Sequence, residues 1–239
     1  YSLLGGAQAW DDFQLEKKDF SRWSRQTVLS EIGLKGQKKL IKAKVVIVGM
    51  GGLGCPAAQS LMAAGVGYLK IVDGDKVELS NLHRQPLYGS EDIGRMKVEV
   101  AKDKLERLNR DAVVEVSDLY LNEKNGFGII NQADIVIDAT DNIPTRVLID
   151  RFSKESGTPM VYGGLFRYEG QIGVFNVKGG KGYIDLFPVS RPNKDNCANT
   201  GMLGMLPGII GNMQALETIK LIVGIKPNLA GKLLMYDCM

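Results

Sequence analysis

Cysteine is scarce in this chain. Three thiols in 239 residues, Cys55, Cys197 and Cys238, stand far apart and cannot supply the even framework of a disulfide-stapled secreted domain. Long apolar runs are missing too. No stretch could cross a bilayer uninterrupted and no charged-then-apolar leader is visible, so no membrane partner is expected and the expected location is cytoplasmic. Charge of one sign is in short supply: 30 Lys and Arg against 27 Asp and Glu leave +3, too little to argue for nucleic acid. The basic residues are scattered, as at Lys38, Lys39 and Lys42 on what reads as a solvated helix face. There is no internal repeat or low-complexity tract. The length suffices for a proper core, in one large α/β domain or two small ones.

What the chain does have is a strand, a glycine turn, a helix and a second strand in close succession. Residues 44–48 form an apolar strand and Gly49-Met50-Gly51-Gly52-Leu53-Gly54 the turn. Residues 55–64 form the helix, and Val72-Asp73 ends the second strand. Glycines let backbone approach a ligand without side-chain clash. The helix start turns its positive dipole end and free N–H groups to the place where phosphate would sit. Asp73, at the tip of the next strand, is placed to bond a ribose hydroxyl. A tight turn that only packs helix on sheet would need the same glycines. The strand and carboxylate that follow are what favour nucleotide binding.

The nucleotide reads as ATP rather than NAD. After Asp73-Gly74-Asp75 come Ser80-Asn81-Leu82-His83-Arg84-Gln85 and then Lys97. A hydride-transfer site needs a flat pocket and a proton relay, and has no general need for an Arg and a Lys behind the ribose carboxylate. A triphosphate needs them, because charge builds on phosphate oxygens as one bond to phosphorus forms and another breaks. Arg offers a planar fork and Lys a mobile point charge, although either one alone is as well explained as a surface cation. Residues 133–142 form another apolar strand that delivers Asp141 and Asn142 at its carboxyl end, facing the same crevice. A carboxylate beside a polyphosphate makes sense as a magnesium ligand. A helix cap before Pro144 would use the same two residues.

Coarse organisation agrees with this. A polar N-terminal segment leads to a helix over residues 26–41, after which strand and helix alternate through residue 162. The fold class expected is α/β, a Rossmann-like, mostly parallel sheet with helices on both faces. Residues 97–110 read as an amphipathic helix with Val98, Ala101, Leu105 and Leu108 on one side. From Glu169 the alternation of residues 171–177 predicts an antiparallel extension. A helix over 209–223 carrying Met213, Leu216, Ile219 and Leu221 is expected to pack core or a partner, and a strand over 232–236 closes the fold.

Six motifs in this order and spacing resemble the MoeB/ThiF (HesA) adenylyltransferases, bacterial relatives of ubiquitin-activating enzymes. They are Ser24-Arg25-Gln26, the glycine turn, Asp73-Gly74-Asp75, Ser80 to Gln85, Lys97, and Ala139-Thr140-Asp141-Asn142, and the likeness runs from about Phe20 onward. Residues 162–172 look more like the molybdopterin-synthase branch than the thiamine branch. The resemblance implies ATP-dependent adenylation of the C-terminal Gly-Gly carboxylate of a ubiquitin-like sulfur carrier, with release of pyrophosphate, ahead of thiocarboxylate formation. A sulfur donor, rhodanese or cysteine desulfurase, would act afterwards. It implies that Gly52 and Asp73 hold the nucleotide, that Asn81, Arg84 and Lys97 contact phosphates, and that Asp141 binds Mg2+. Gly49, Gly51, Gly54, Asp75, Ser80, Gln85 and Asn142 complete the implied ATP site. It also implies a homodimer in which Arg25 reaches the neighbouring subunit's site, and Phe20, Trp23 and Val28 are apolar groups suited to docking that segment on another surface. A carboxylate is already a nucleophile at neutral pH, so no general base is required. The single histidine, His83, then reads as a spacer or pocket contact.

The chain departs from the family pattern in its cysteines. Many members hold a structural zinc with two Cys-x-x-Cys pairs, yet the first pair's place reads Gly182-Tyr183-Ile184-Asp185 and residue 239 is reached before the second. Zinc is therefore expected to be absent. Cys197 is the candidate for sulfur transfer, in a polar stretch where Lys194 favours thiolate and Asp195 opposes it. Cys55 reads as a small packing residue. Residues 1–19 read as a leader or as the remnant of an upstream domain, since Leu3-Leu4-Gly5-Gly6 to Trp10 resembles the end of a rhodanese-like domain; residues 20–239 form the adenylyltransferase domain. A NAD-dependent oxidoreductase and a catalytically inactive scaffold subunit of an activating-enzyme complex stand as alternatives. The sulfur's destination stays open among molybdopterin, thiamine, tRNA and natural products.

Overall fold

Alternation along the first strand already demands two apolar layers. In β1 (Lys44–Val48), Val45 and Ile47 face one core and Val46 and Val48 another, so the sheet must be covered on both sides. The computed structural model describes residues 19–188 and 201–239. Within them, β1 pairs in parallel with β2 (Tyr68–Val72) and β4 (Ile135–Asp138). β3 (Val113–Ser117) joins β2 and β5 (Met160–Phe166) joins β4, also in parallel. β6 (Glu169–Phe175) and β7 (Leu233–Asp237) add on antiparallel, giving a seven-stranded sheet in the order β3-β2-β1-β4-β5-β6-β7.

The first face is covered by α1 (Gly33–Lys42), α2 (Gly54–Ala64), α3 (Lys97–Leu108) and α5 (Leu206–Val223), which supply Leu40, Leu61, Leu105 and Ile210 to one core. The second is covered by α4 (Ile143–Ser156) and a short helical turn at Gly126–Ile130, supplying Ile149, Phe152 and Ile130. Register positions the site. Val48 lies opposite both Val72 and Asp138, so β1, β2 and β4 end level and their loops leave from one edge. Sheet order reverses between β1 and β4, the switch point at which open α/β sheets leave a crevice.

One expectation needs correction. The single helix over 26–41 is broken: a short helical turn at Ser24–Thr27 precedes α1, whose first residue, Gly33, at φ +57°, turns the chain into it. On α5, Met213, Ile219 and Leu221 pack against the first core as expected, and polar residues share that inner face. Gln214, Glu217 and Thr218 are buried while Leu216 is exposed, because Gln214 Nε2 donates to the carbonyls of Asp138 (2.7 Å) and Val161 (3.2 Å). Glu217 meanwhile accepts the Leu229 N–H at 2.7 Å. The inner face thus answers backbone groups that would otherwise be buried unpaired. Among the described residues no helix is long and apolar enough to cross a membrane.

The N-terminal arm also lies otherwise than expected. Trp23 is buried in its own domain, where its ring Nε1 donates to Ala63 O at 2.9 Å. Arg22 donates to Leu108 O, and Gln26 donates to Gln37 (2.7 Å) and Ala64 O (3.0 Å). Trp23 is therefore an intramolecular anchor rather than a group for docking on another surface, and Phe20 packs beside it. Val28, 77% exposed, and Arg25 face outward.

Candidate active site

A cleft of about 280 Å³ opens at the shared carboxyl edge of β1, β2 and β4. Of the predicted residues, Gly49, Gly51, Gly52, Asp73, Asp75, Asn81, Arg84, Gln85, Lys97, Asp141 and Asn142 line it. Gly54 and Ser80 do not, nor do His83 and Arg25, both exposed. Cys197 and the suspected rhodanese remnant fall outside the described residues.

The glycines divide by task. Gly49 has φ +95°, and a Cβ there would stand 2.5 Å from Ala139 O. One at Gly54 would stand 2.1 Å from Gly49 O. Both are required by the turn's own packing. Gly51 is open toward the cleft, with the Gln85 amide 3.5 Å away as its nearest neighbour, and is the glycine where a ligand can approach backbone. Leu53 starts α2 without offering a side-chain acceptor; in the first turn the Cys55 N–H is taken by Gly51 O (3.0 Å), the Ala57 N–H by Leu53 O (3.3 Å), and Pro56 has none, so an anion here would rely on the glycine turn rather than on the helix's own first N–H groups.

The carboxylates on the β2 side are already engaged. Asp73 accepts the Met50 N–H (2.5 Å) and the Asp75 N–H (2.8 Å), so it braces the glycine turn. Burial raises its pKa, against the pull of Lys97 and of these amides. Asp75 Oδ2 pairs with Lys97 Nζ at 2.8 Å and Oδ1 accepts the Tyr120 hydroxyl at 2.6 Å. Burial works against its charge, yet Lys97 and Tyr120 together hold it below the usual carboxylate range. Lys97 is buried at the start of α3 with one of its three donors on Asp75. Arg84 donates to Ser80 O (2.8 Å) and lies 2.9 Å from His83 Nε2. Gln85 keeps a buried Oε1 with no protein partner among the described residues.

The β4 side differs. Asn142 Oδ1 accepts the Thr145 N–H at 2.9 Å and so caps α4. Asp141 makes no hydrogen bond or ion pair with any described residue and is exposed to the cleft. An open carboxylate with free oxygens suits a hard divalent cation such as Mg2+, which takes one or two protein carboxylates and completes its shell with phosphates and water. Behind it, Asp138 is fully buried and paired with Arg146 at 2.6 Å. Burial works against the charge of Arg146, but Asp138 together with Tyr162 and Tyr183 more than offsets that and raises its pKa.

Sequence reasoning missed Tyr120 and Arg146, both of which line the cleft. Tyr120 follows a strand's carboxyl end, a signal that was available. Arg146 carried none beyond its place in a helix's first turn. Where the first pair of zinc thiolates was sought, a helical turn at Tyr183–Leu186 is held by Asp150, which accepts the N–H groups of Tyr183 (2.7 Å) and Ile184 (3.2 Å).

The ThiF family profile matches residues 23–239. The adenylyltransferase and sulfurtransferase MOCS3 of Xenopus laevis is 46% identical over 228 residues, which is 94% of this chain and 50% of that protein. The sulfur carrier protein adenylyltransferase of Thermus thermophilus is 42% identical over 230 residues, covering 93% of this chain and 85% of that one. The chain thus spans about half the length of several curated relatives it matches. Among solved structures, E. coli MccB superposes with a TM-score of 0.81 over 94% of this chain and 68% of that one at 23% identity, a likeness of fold. Matched by the profile over most of its length and by relatives above 40% identity, the chain belongs to the ThiF family.

Proposed function

We propose that this chain uses ATP to adenylate the C-terminal Gly-Gly carboxylate of a ubiquitin-like sulfur carrier. The observation that carries this reading is the cleft's division of charge. Arg84 and Lys97 stand beside the glycine turn, and the unpaired carboxylate of Asp141 stands across from them. In the reaction a carrier carboxylate oxygen bonds to the α-phosphorus, the bond from that phosphorus to the β-phosphate bridging oxygen breaks, and pyrophosphate leaves with the electron pair. The nucleophile needs no deprotonation, so the protein's work is alignment and charge neutralisation. Lys97 and Arg84 hold the phosphates, and Asn81 and Gln85 offer amides to them. Asp141 would hold Mg2+, which supplies further neutralisation of phosphate charge when bound.

On this reading the chain works as a homodimer in a soluble, cytoplasmic setting, and a rhodanese or cysteine desulfurase supplies sulfur to the activated carrier, with Cys197 the residue to test for a covalent part. Residues 20–239 form the catalytic domain and residues 1–19 a leader or upstream remnant. At the place of the family's first zinc pair this sequence carries Gly182-Tyr183-Ile184-Asp185, so no zinc ligand is proposed there.

The direct test is exchange of labelled pyrophosphate into ATP, with and without a Gly-Gly-terminated carrier. Carrier-dependent exchange is expected; its absence with a panel of such carriers would overturn the reading. Asp73→Ala should weaken ATP binding about tenfold or more, because it removes both the ribose acceptor and the brace on the Met50 and Asp75 amides. Calorimetric titration of ATP checks this, and an unchanged affinity would remove Asp73 from the nucleotide site.

A further inference from the structure

One buried cation has no part in the reaction as proposed. Arg146, in the first turn of α4, binds three separate pieces of backbone and side chain. Its Nε donates to Asp138 Oδ2 at 2.6 Å, and its Nη2 donates to Thr140 O at 2.8 Å and to Gly163 O at 3.2 Å. The other oxygen of Asp138 accepts the Thr140 N–H (3.0 Å) and hydroxyl (2.6 Å). The turn that carries Asp141 is thereby gripped on both sides of Thr140. Asp141 itself has no side-chain partner among the described residues, so its aim is set through its backbone, and that backbone is set by this grip.

The face of the same guanidinium lies on aromatic rings. Its central carbon is 4.6 Å from the Tyr162 ring centre and 5.6 Å from that of Tyr183. Tyr183 packs on Tyr162 (5.2 Å between centroids) and on Phe187 (4.9 Å), within the helical turn held by Asp150. A buried ion pair of this kind adds little net stability compared with apolar side chains of the same volume, because desolvation offsets its attraction. What it provides is direction: a planar fork reaching several acceptors at once, which a lysine cannot reproduce.

We propose that Arg146 is a positioning residue for Asp141, and that the ring cluster of Tyr162 and Tyr183 sets Arg146, coupling the segment at residues 182–187 to the cation-binding turn. The magnesium part of this inference rests on the function proposed above; the grip on the turn does not. The test compares Arg146→Lys, Tyr183→Leu and the double variant with the wild-type chain. Hydrogen exchange at the Thr140 amide should quicken about tenfold in Arg146→Lys, while the Ile137 amide in β4 keeps its protection. The gain in ATP affinity on adding Mg2+, measured by calorimetry, should shrink by a similar factor while affinity in EDTA stays at the wild-type value. Tyr183→Leu should move both readouts in the same direction by less, and the double variant should fall short of the sum. Wild-type exchange at Thr140 in Arg146→Lys overturns the positioning role, and additive effects overturn the coupling. Should Arg146→Lys fail to fold, Tyr183→Leu decides alone: loosened Thr140 with native β4 supports the proposal, and unchanged Thr140 overturns it. A wild-type chain lacking carrier-dependent exchange would remove the proposed reaction and leave the amide result standing.

Discussion

Lys97→Ala and Asp141→Ala should each slow carrier-dependent pyrophosphate exchange by about a hundredfold or more, with the fold intact, since each removes an interaction that strengthens as charge develops in the transition state. Both side chains line the cleft from opposite sides. The two losses should differ in kind. Asp141 makes no bond with a described residue, so its removal leaves nothing unpaired, and the defect should appear as a raised magnesium requirement and a lowered rate. Lys97 neutralises Asp75. Its removal leaves that carboxylate facing the phosphates, so ATP affinity should fall as well, and adding Asp75→Asn to Lys97→Ala should restore part of the affinity but not the rate. Steady-state exchange at saturating ATP and magnesium checks the rates. Near-normal exchange in either single variant would defeat the assignment.

The second large effect concerns Arg25. Arg25→Ala should be as inactive as Lys97→Ala, yet a mixture of the two, after subunit exchange, should recover about a quarter of wild-type activity. The arithmetic follows from the proposed arrangement. Half of the dimers in an equal mixture are hybrid, and one of the two sites in each hybrid joins an intact Lys97 to the partner's intact Arg25. The motivating observation is geometric: Arg25 is exposed, lies outside the cleft of its own chain, and has no bonded partner among the described residues, while Trp23 beside it is tied down. An arginine needed only for folding would give no recovery. Mixtures shown by mass spectrometry to contain hybrids, but still inactive, would mean that Arg25 does not act in trans.

How much of this was legible beforehand depended on whether a residue's role is local. The β1–α2–β2 unit could be read because an unbroken apolar strand, a glycine turn and a carboxylate act within about thirty residues. The convergence of Asp73 and Asp141 on one edge followed from the rule for parallel sheets, while Lys97 was drawn there by the charge a triphosphate needs answered. The Tyr120–Asp75 contact could not be read, since it joins residues 45 apart in sequence through a loop whose path no pattern dictates. The core packing of Met213, Ile219 and Leu221 on α5 was legible from hydrophobicity, but the burial of Gln214 was not, since its amide answers two strand carbonyls far away in sequence. The arm was misjudged for a related reason. Trp23 looked free for a partner only because Ala63, its acceptor, is 40 residues away.

The sulfur atom beneath the nucleotide turn has a consequence of its own. Cys55 is fully buried in the first turn of α2, its thiol facing Met50 O at 3.4 Å, and burial pushes its pKa up to about 12. Only the thiolate attacks persulfides, disulfides or peroxides, so at neutral pH this sulfur is chemically mute. In a protein proposed to serve sulfur carriers, that insulation keeps this thiol out of sulfur transfer and thiol oxidation, and leaves it to packing under the glycine turn.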